Sequence, residues 1–189
     1  MKAKDVVKAA AEALRLTDAR DFCDGKNTAE SGGEAKGEAM AKKLLGFFNE
    51  VETEVAASAV PLVKEENVTA TDGKIMISAL SENFLRAVRL FDNGGRLAAV
   101  SEGAGYLKTN VSAGVLRYAY LPAAKALDDE SDFKCGVPMK VFVDGVIAKY
   151  YFDRQLFEET AVYEKEYKAA AMVAHRICAG GKFRARRWR

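Results

Sequence analysis

The sequence predicts an α+β fold: a bundle of three to four helices carrying a β-rich insertion of about four to six short strands, plus an extended C-terminal tail. Three observations lead there. Apolar residues recur near every 3.6 positions at both ends of the chain and near every second position between them. Pro61 and Pro122 bracket most of the region with the shorter period. Gly180 and Gly181 then end the last helical pattern and release eight residues of a different composition. The expected organisation is a helical bundle from residues 1–61 and 136–181, a β-rich insertion over 62–135 and an arm over 182–189.

Taken in order, residues 4–16 read as a first helix with Val6, Val7, Ala10, Ala11 and Leu14 on one face. It is too short to stand alone and must dock. Thr17 to Gly37 is polar and glycine-bearing, which suggests a turn of helix from Ala19 to Cys23 and a mobile loop for the rest. Met40, Leu44, Phe47, Phe48, Val51, Val55 and Ala59 then hold a helical period for about five turns, and Pro61 closes the helix. This long helix should pack against the first and last ones.

Beyond Pro61 the pattern is that of strands. Asn67 to Ala70 and Lys74 to Ser78 flank Thr71-Asp72-Gly73, and Asp-Gly favours the positive dihedrals of a hairpin turn, so the two are expected to pair. Phe84 to Phe91 interleaves Arg86 and Arg89 with apolar residues, Asp92 to Gly95 turns the chain, and Arg96 to Ser101 returns. Val115 to Leu121 is β-branched and aromatic and ends at Pro122. Asp128, Asp129, Glu130 and Asp132 form an acidic loop. Pro138 suits the first position of a helix whose apolar side, Val141, Phe142, Ile147, Tyr150 and Tyr151, is interrupted by Gly145. A last helix carries Leu156, Thr160, Tyr163, Tyr167, Ala171, Ala174 and Ile177 on one face.

Composition excludes several classes of function. Apolar residues at 49% and charged residues at 30% are ordinary for a soluble globular protein. The net charge of +2, less the +5 of residues 182–189, leaves −3 for the rest, so the body as a whole is mildly acidic, and its overall charge is not that of a general nucleic-acid sponge. No stretch reaches the length of a membrane span, and charges scattered from Lys2 to Arg15 leave no uninterrupted apolar signal region. Cys23, Cys135 and Cys178 lack metal-type spacing and read as reduced, structural thiols in a cytosolic setting.

No catalytic signature is present, and no cofactor or metal is expected. His175, the one histidine, has no orienting partner implied by sequence and reads as a partly exposed residue near a helix C-terminus. Gly103 to Lys108 begins like a dinucleotide fingerprint but has Lys108 at the third glycine position. Gly32 to Glu38 has phosphate-loop spacing but Glu38 at the lysine position, and the acidic loop lacks the spacing of a calcium site.

The tail carries the functional signal. Lys182, Phe183, Arg184, Arg186, Arg187, Trp188 and Arg189 combine five cations with two aromatics and no acid. Such a segment can grip phosphates and stack on bases, or it can insert Trp188 and Phe183 into a neighbouring protein, since Trp and Arg are favoured interface anchors. The first option defines a small DNA-binding protein that uses its basic tail.

The order of several short features gives a further expectation. These are the long helix ending at Pro61-Leu62, Asp72-Gly73-Lys74-Ile75, the strand Gly114 to Tyr120 before Pro122, and Asp128-Asp129. After them come Pro138 with Gly145 to Tyr151, then Phe157 to Ala161, and finally Arg186-Arg187-Trp188. From about residue 40 onward the chain resembles the head-to-tail adaptor (connector, neck) proteins of tailed bacteriophages. The resemblance implies a helical bundle with a β-rich insertion that assembles into a ring, typically of twelve copies, beneath the portal. It implies a structural protein of the virion neck, made in the bacterial host cytoplasm, and not an enzyme. The implied partners are the portal protein, tail or nozzle proteins and the double-stranded DNA that passes through the channel. Residues 182–189 would then dock on the portal or a neighbouring subunit.

Overall fold

The computed structural model describes residues 1–26, 33–133 and 136–178. It is an α+β structure in two compact units, Met1–Val60 with the chain from Ala124 onward, and Pro61–Ala123. The described residues hold five α-helices and seven strands, one helix and one strand more than the upper expectation.

The first unit is built from α1 (Ala3–Ala13), α2 (Thr17–Cys23), α3 (Gly33–Glu54), α4 (Met139–Asp153) and α5 (Phe157–Cys178). α3 runs into a π-helical turn, Val55–Ala59, in which the Val60 amide donates to the Val55 carbonyl. The described part of the expected loop is therefore largely helical: Ala19 to Cys23 belongs to the two-turn α2, and α3 begins at Gly33. Gly37 serves packing, not looseness. A Cβ there would stand 2.5 Å from the Asp18 carbonyl oxygen, so only glycine lets α3 approach the start of α2 this closely. Residues 27–32 of that stretch lie outside the described residues.

Two sharp helix-to-helix turns share one design. Arg15 ends α1 with φ 57° and Gln155 ends α4 with φ 60°. In each, the next amide reaches back five residues, Leu16 to the Ala11 carbonyl and Leu156 to the Tyr151 carbonyl. This is the left-handed termination that glycine normally supplies, and Gly25 does supply it after α2.

α4 is the central helix, which is why its apolar residues do not confine themselves to one side. Val141, Phe142, Val146, Ile147 and Tyr150 are buried, and buried Asp144 is paired with Lys140 at 2.6 Å. Phe142 packs on Phe48 of α3, with ring centres 5.8 Å apart, and on Phe133 at 5.5 Å. Gly145 is where α3, α4 and α5 come together: an added Cβ would stand 2.7 Å from Val51 Cγ1 and 3.2 Å from Tyr167 Cδ2.

Residues 124–133 run across this unit. The Ala3 and Lys4 amides donate to the carbonyls of Asp129 and Leu127, and the Ser131 amide donates to the Met1 carbonyl. Asn49 of α3 exchanges two hydrogen bonds with the Lys125 backbone.

The second unit contains β1 (Leu62–Thr69), β2 (Lys74–Met76), β3 (Asn83–Asp92), β4 (Leu97–Ala98), β5 (Val100–Glu102), β6 (Tyr106–Thr109) and β7 (Ala113–Leu121). They form antiparallel sheets in the orders β1-β7-β3-β4 and β2-β6-β5. Val68, Ile75, Leu90, Leu107, Leu116 and Tyr118 make one core drawn from both sheets. The Tyr118 hydroxyl, carried into that core, donates to Glu66 Oε2 at 2.8 Å, which satisfies a group that would be costly to bury alone.

The expected hairpin of β1 with β2 is not formed. Asp72 and Gly73 do adopt positive φ, 51° and 71°, and Thr71 and Lys74 bridge across them. But β1 pairs along its whole length with β7, from Leu62 opposite Tyr120 to Thr69 opposite Ala113, and β2 pairs with β6. Eight paired residues outweigh the three that β2 could offer, so the turn carries the chain from one sheet to the other.

Candidate assembly surface

α5 carries two faces of different kinds. The inner one follows the sequence expectation from Thr160 to Ala174. Ala171 and Ala174 are buried, Tyr163 and Tyr167 are half-buried, and Tyr151 of α4 packs on Tyr163 with ring centres 5.5 Å apart. Ile177 departs from it at 60% exposure.

Ion pairs fix the inner face. Lys149 of α4 reaches Glu54 at 2.6 Å and Glu50 at 3.2 Å, both on α3. The Tyr167 hydroxyl points to the other Glu54 oxygen at 3.4 Å, and burial beside that carboxylate pushes the phenol well above its ordinary range. Lys140 joins Asp144 of α4 to Glu166 of α5, at 2.6 and 3.1 Å. Of these contacts, Tyr167–Glu54 and Lys140–Glu166 tie α5 to its own unit.

The outer face has no such partners. Val162, Met172 and Val173 are 57, 60 and 52% exposed and, with the small exposed Ala169, recur at helical spacing, while exposed Ile177 extends this apolar surface at the end of the helix. Sequence reading missed this second stripe because charged Lys165, Glu166, Lys168 and Arg176 interrupt it. At the beginning of the helix Phe157 packs edge-on against Phe152, both 63% exposed.

Near its end, α5 and the π-helical turn border an open groove of about 600 Å³, lined among others by Ala57, Tyr167, Met172 and His175. His175 has a partner here that the sequence did not reveal. Its Nδ1 donates to the Ala59 carbonyl at 2.5 Å, which ties the last turns of α5 to the end of α3. The donor role falls to Nδ1 because a carbonyl can only accept.

The thiols divide by position. Cys23 is buried at the end of α2 and burial raises its pKa, which makes it an unreactive packing group. Cys178 is exposed in the last turn of α5. Cys135 lies outside the described residues, as do Gly180, Gly181 and the docking residues Lys182, Phe183, Arg184, Arg186, Arg187, Trp188 and Arg189.

The acidic stretch is bound up in local contacts. Asp129 caps the Ala126 amide at 2.7 Å and Asp132 pairs with Lys125 at 2.8 Å. Among the described residues no group of three or more His, Cys, Asp or Glu is placed to hold a metal ion. No helix there is long and apolar enough to cross a membrane. Compared with protein-family models and with curated proteins, the chain matches none.

Proposed function

We propose that this protein is a head-to-tail adaptor of a tailed bacteriophage: a virion structural protein that forms a ring under the portal, extends the DNA channel and provides the tail attachment platform. The observation that carries the reading is the outer stripe of α5. Val162, Met172 and Val173 stand more than half exposed on a helix that the Lys140–Glu166 ion pair and the Tyr167–Glu54 hydrogen bond already tie to its own unit. Covering side chains of this size contributes about 1.5–3 kcal/mol each, which a neighbouring copy can supply. A patch that meets a different patch on the next copy closes into a ring when the rotation closes.

The phage context comes from the ordered sequence features, running from Pro61-Leu62 to Arg186-Arg187-Trp188. In this reading the helical unit forms the ring, and Lys182 to Arg189 dock on the portal or on a neighbouring subunit. The duplex passes through without being chemically changed, and no catalytic group is required.

The tail's role is tested by deleting residues 182–189 and mixing the product with the portal protein of the same phage. The expected result is loss of portal attachment with an unchanged melting temperature. Attachment that survives the deletion, or a body that unfolds without the tail, overturns the docking role.

A further inference from the structure

The outer face of the four-stranded sheet, opposite the core, carries a cluster of arginines that local alternation would not assemble. Arg89 lies directly across from Arg117, and Arg86 lies across from Ala119. Residues 117 and 119 point to one side of β7 because side chains alternate. Their partners Arg89 and Arg86 therefore point to that side too. Arg86 and Arg89 are three residues apart, so a regular strand would send them to opposite faces.

An irregularity between Ala87 and Arg89 brings them together. It inserts one extra residue, Val88, opposite the step from Tyr118 to Arg117. Bulges of this kind re-aim side chains. Here the bulge is secured by Glu102, whose carboxylate accepts the Ala87 amide at 2.7 Å. Arg86 and Arg89 are left about 7 Å apart along the sheet, two residue steps on β7.

The cluster is balanced from within only at Arg117, whose register partner on β1 is Glu65. Arg86, Arg89 and Arg117 are all exposed. Glu65 approaches Arg117 at 3.8 Å, beyond hydrogen-bonding distance, and Arg86 and Arg89 have no ion pair among the described residues. Like charges directly opposite each other in a sheet are destabilising, so the Arg89–Arg117 pair is a cost that an external anion would remove. The neighbours of Arg117 on the same face of β7 are short, Ala119, fully buried across from Arg86, and Val115, across from Phe91. The guanidinium groups can stand beyond them and meet a ridge of phosphates, each fork matching two oxygens.

We infer that this face binds the phosphate backbone of double-stranded nucleic acid without reading its sequence. The inference does not depend on the ring reading and concerns a surface separate from the tail in sequence. Three phosphate contacts give the binding a defined salt dependence, about 0.9 in the slope of log K against log salt for each contact.

The test uses the full chain and a 30-base-pair mixed-sequence DNA duplex, followed by fluorescence anisotropy across salt concentration. The triple variant Arg86→Gln, Arg89→Gln, Arg117→Gln is expected to lower the slope by about 2.7 and to weaken binding more than tenfold at low salt. The triple Arg→Lys variant is expected to keep the slope, since it keeps the charge. Arg89→Gln alone should lower it by about 0.9, which provides a reading through a single exposed substitution if the triple variant folds poorly. A slope unchanged by these Gln substitutions overturns the inference, because the tail then accounts for all binding. So does no binding of the duplex by the unmodified chain at low salt. Poly-glutamate displacing the duplex at equal charge would assign the face to acidic protein surfaces and also overturn it.

Discussion

The Ser131 hydroxyl donates to Glu52 Oε1 over 2.5 Å, and this bond holds residues 124–133 against the C-terminal end of α3. The Asp132 amide donates to the same oxygen at 3.2 Å, while Oε2 is buried without a partner among the described residues. A fully buried carboxyl is thus half satisfied. Burial raises its pKa, against the opposing pull of the Ser131 hydrogen bond and Lys125.

A carboxyl raised in the folded state contributes stability that is complete below its unfolded value near 4.5 and is lost as pH rises through the folded value. Glu52→Gln removes that titration and keeps an acceptor for Ser131. The melting temperature of the variant, relative to the unmodified protein, should therefore rise as the pH climbs from the unfolded value near 4.5 through the raised folded value. A difference that does not change with pH contradicts this account of Glu52.

Two glycines of the helical unit should respond oppositely to alanine. Gly145→Ala forces a Cβ against buried Val51, which costs about 1–3 kcal/mol and exceeds the gain in helix propensity. Gly46 lies exposed within α3 with nothing within 4 Å of its added Cβ, so Gly46→Ala should stabilise by up to about 1 kcal/mol. Denaturant unfolding of the two variants checks the signs; equal effects would remove Gly145 from the crossing.

Gln155→Gly should raise stability. A non-glycine residue at φ 60° costs about 1–2 kcal/mol, and glycine gives back about 0.5–1 kcal/mol through the freedom of the unfolded chain. A net gain of about 0.5–1 kcal/mol corresponds to a melting temperature higher by roughly 1–4 °C for a chain of this length. Arg15→Gly should behave alike, and a fall in either would show that the side chain contributes more than the turn costs.

Much of the helical architecture is legible in the sequence because helical packing is periodic and local. The inner face of α5 from Thr160 to Ala174 follows from spacing alone, and so does the face of α3 through Leu44, Phe48, Val51 and Val55. Strand partners are not legible, since β1 finds β7 across five intervening strands and nothing in Asp72-Gly73 says that its flanking strands will separate. A basic face on the strands using Arg86, Arg89, Arg96 and Arg117 can be named from the sequence as the mark of a nucleic-acid binder, but its geometry is hidden for a similar reason. Arg86 and Arg89 look like members of opposite faces until the extra Val88 is counted against β7. The tail, which carries the strongest functional signal of the sequence, lies outside the described residues.

Val173→Asp places a charge at the centre of the outer α5 stripe without touching the inner face. The subunit should keep its fold, within about 1 kcal/mol, while self-association weakens by tenfold or more in sedimentation at matched concentration. Undiminished association would move the interface to another face.

The mass of the purified protein, measured alone and with the portal protein of the same phage, tests ring formation most directly. A ring of identical subunits, formed alone or on the portal, is the predicted result. A strictly monomeric chain that ignores the portal, yet binds duplex DNA tightly with a steep salt slope, would contradict it.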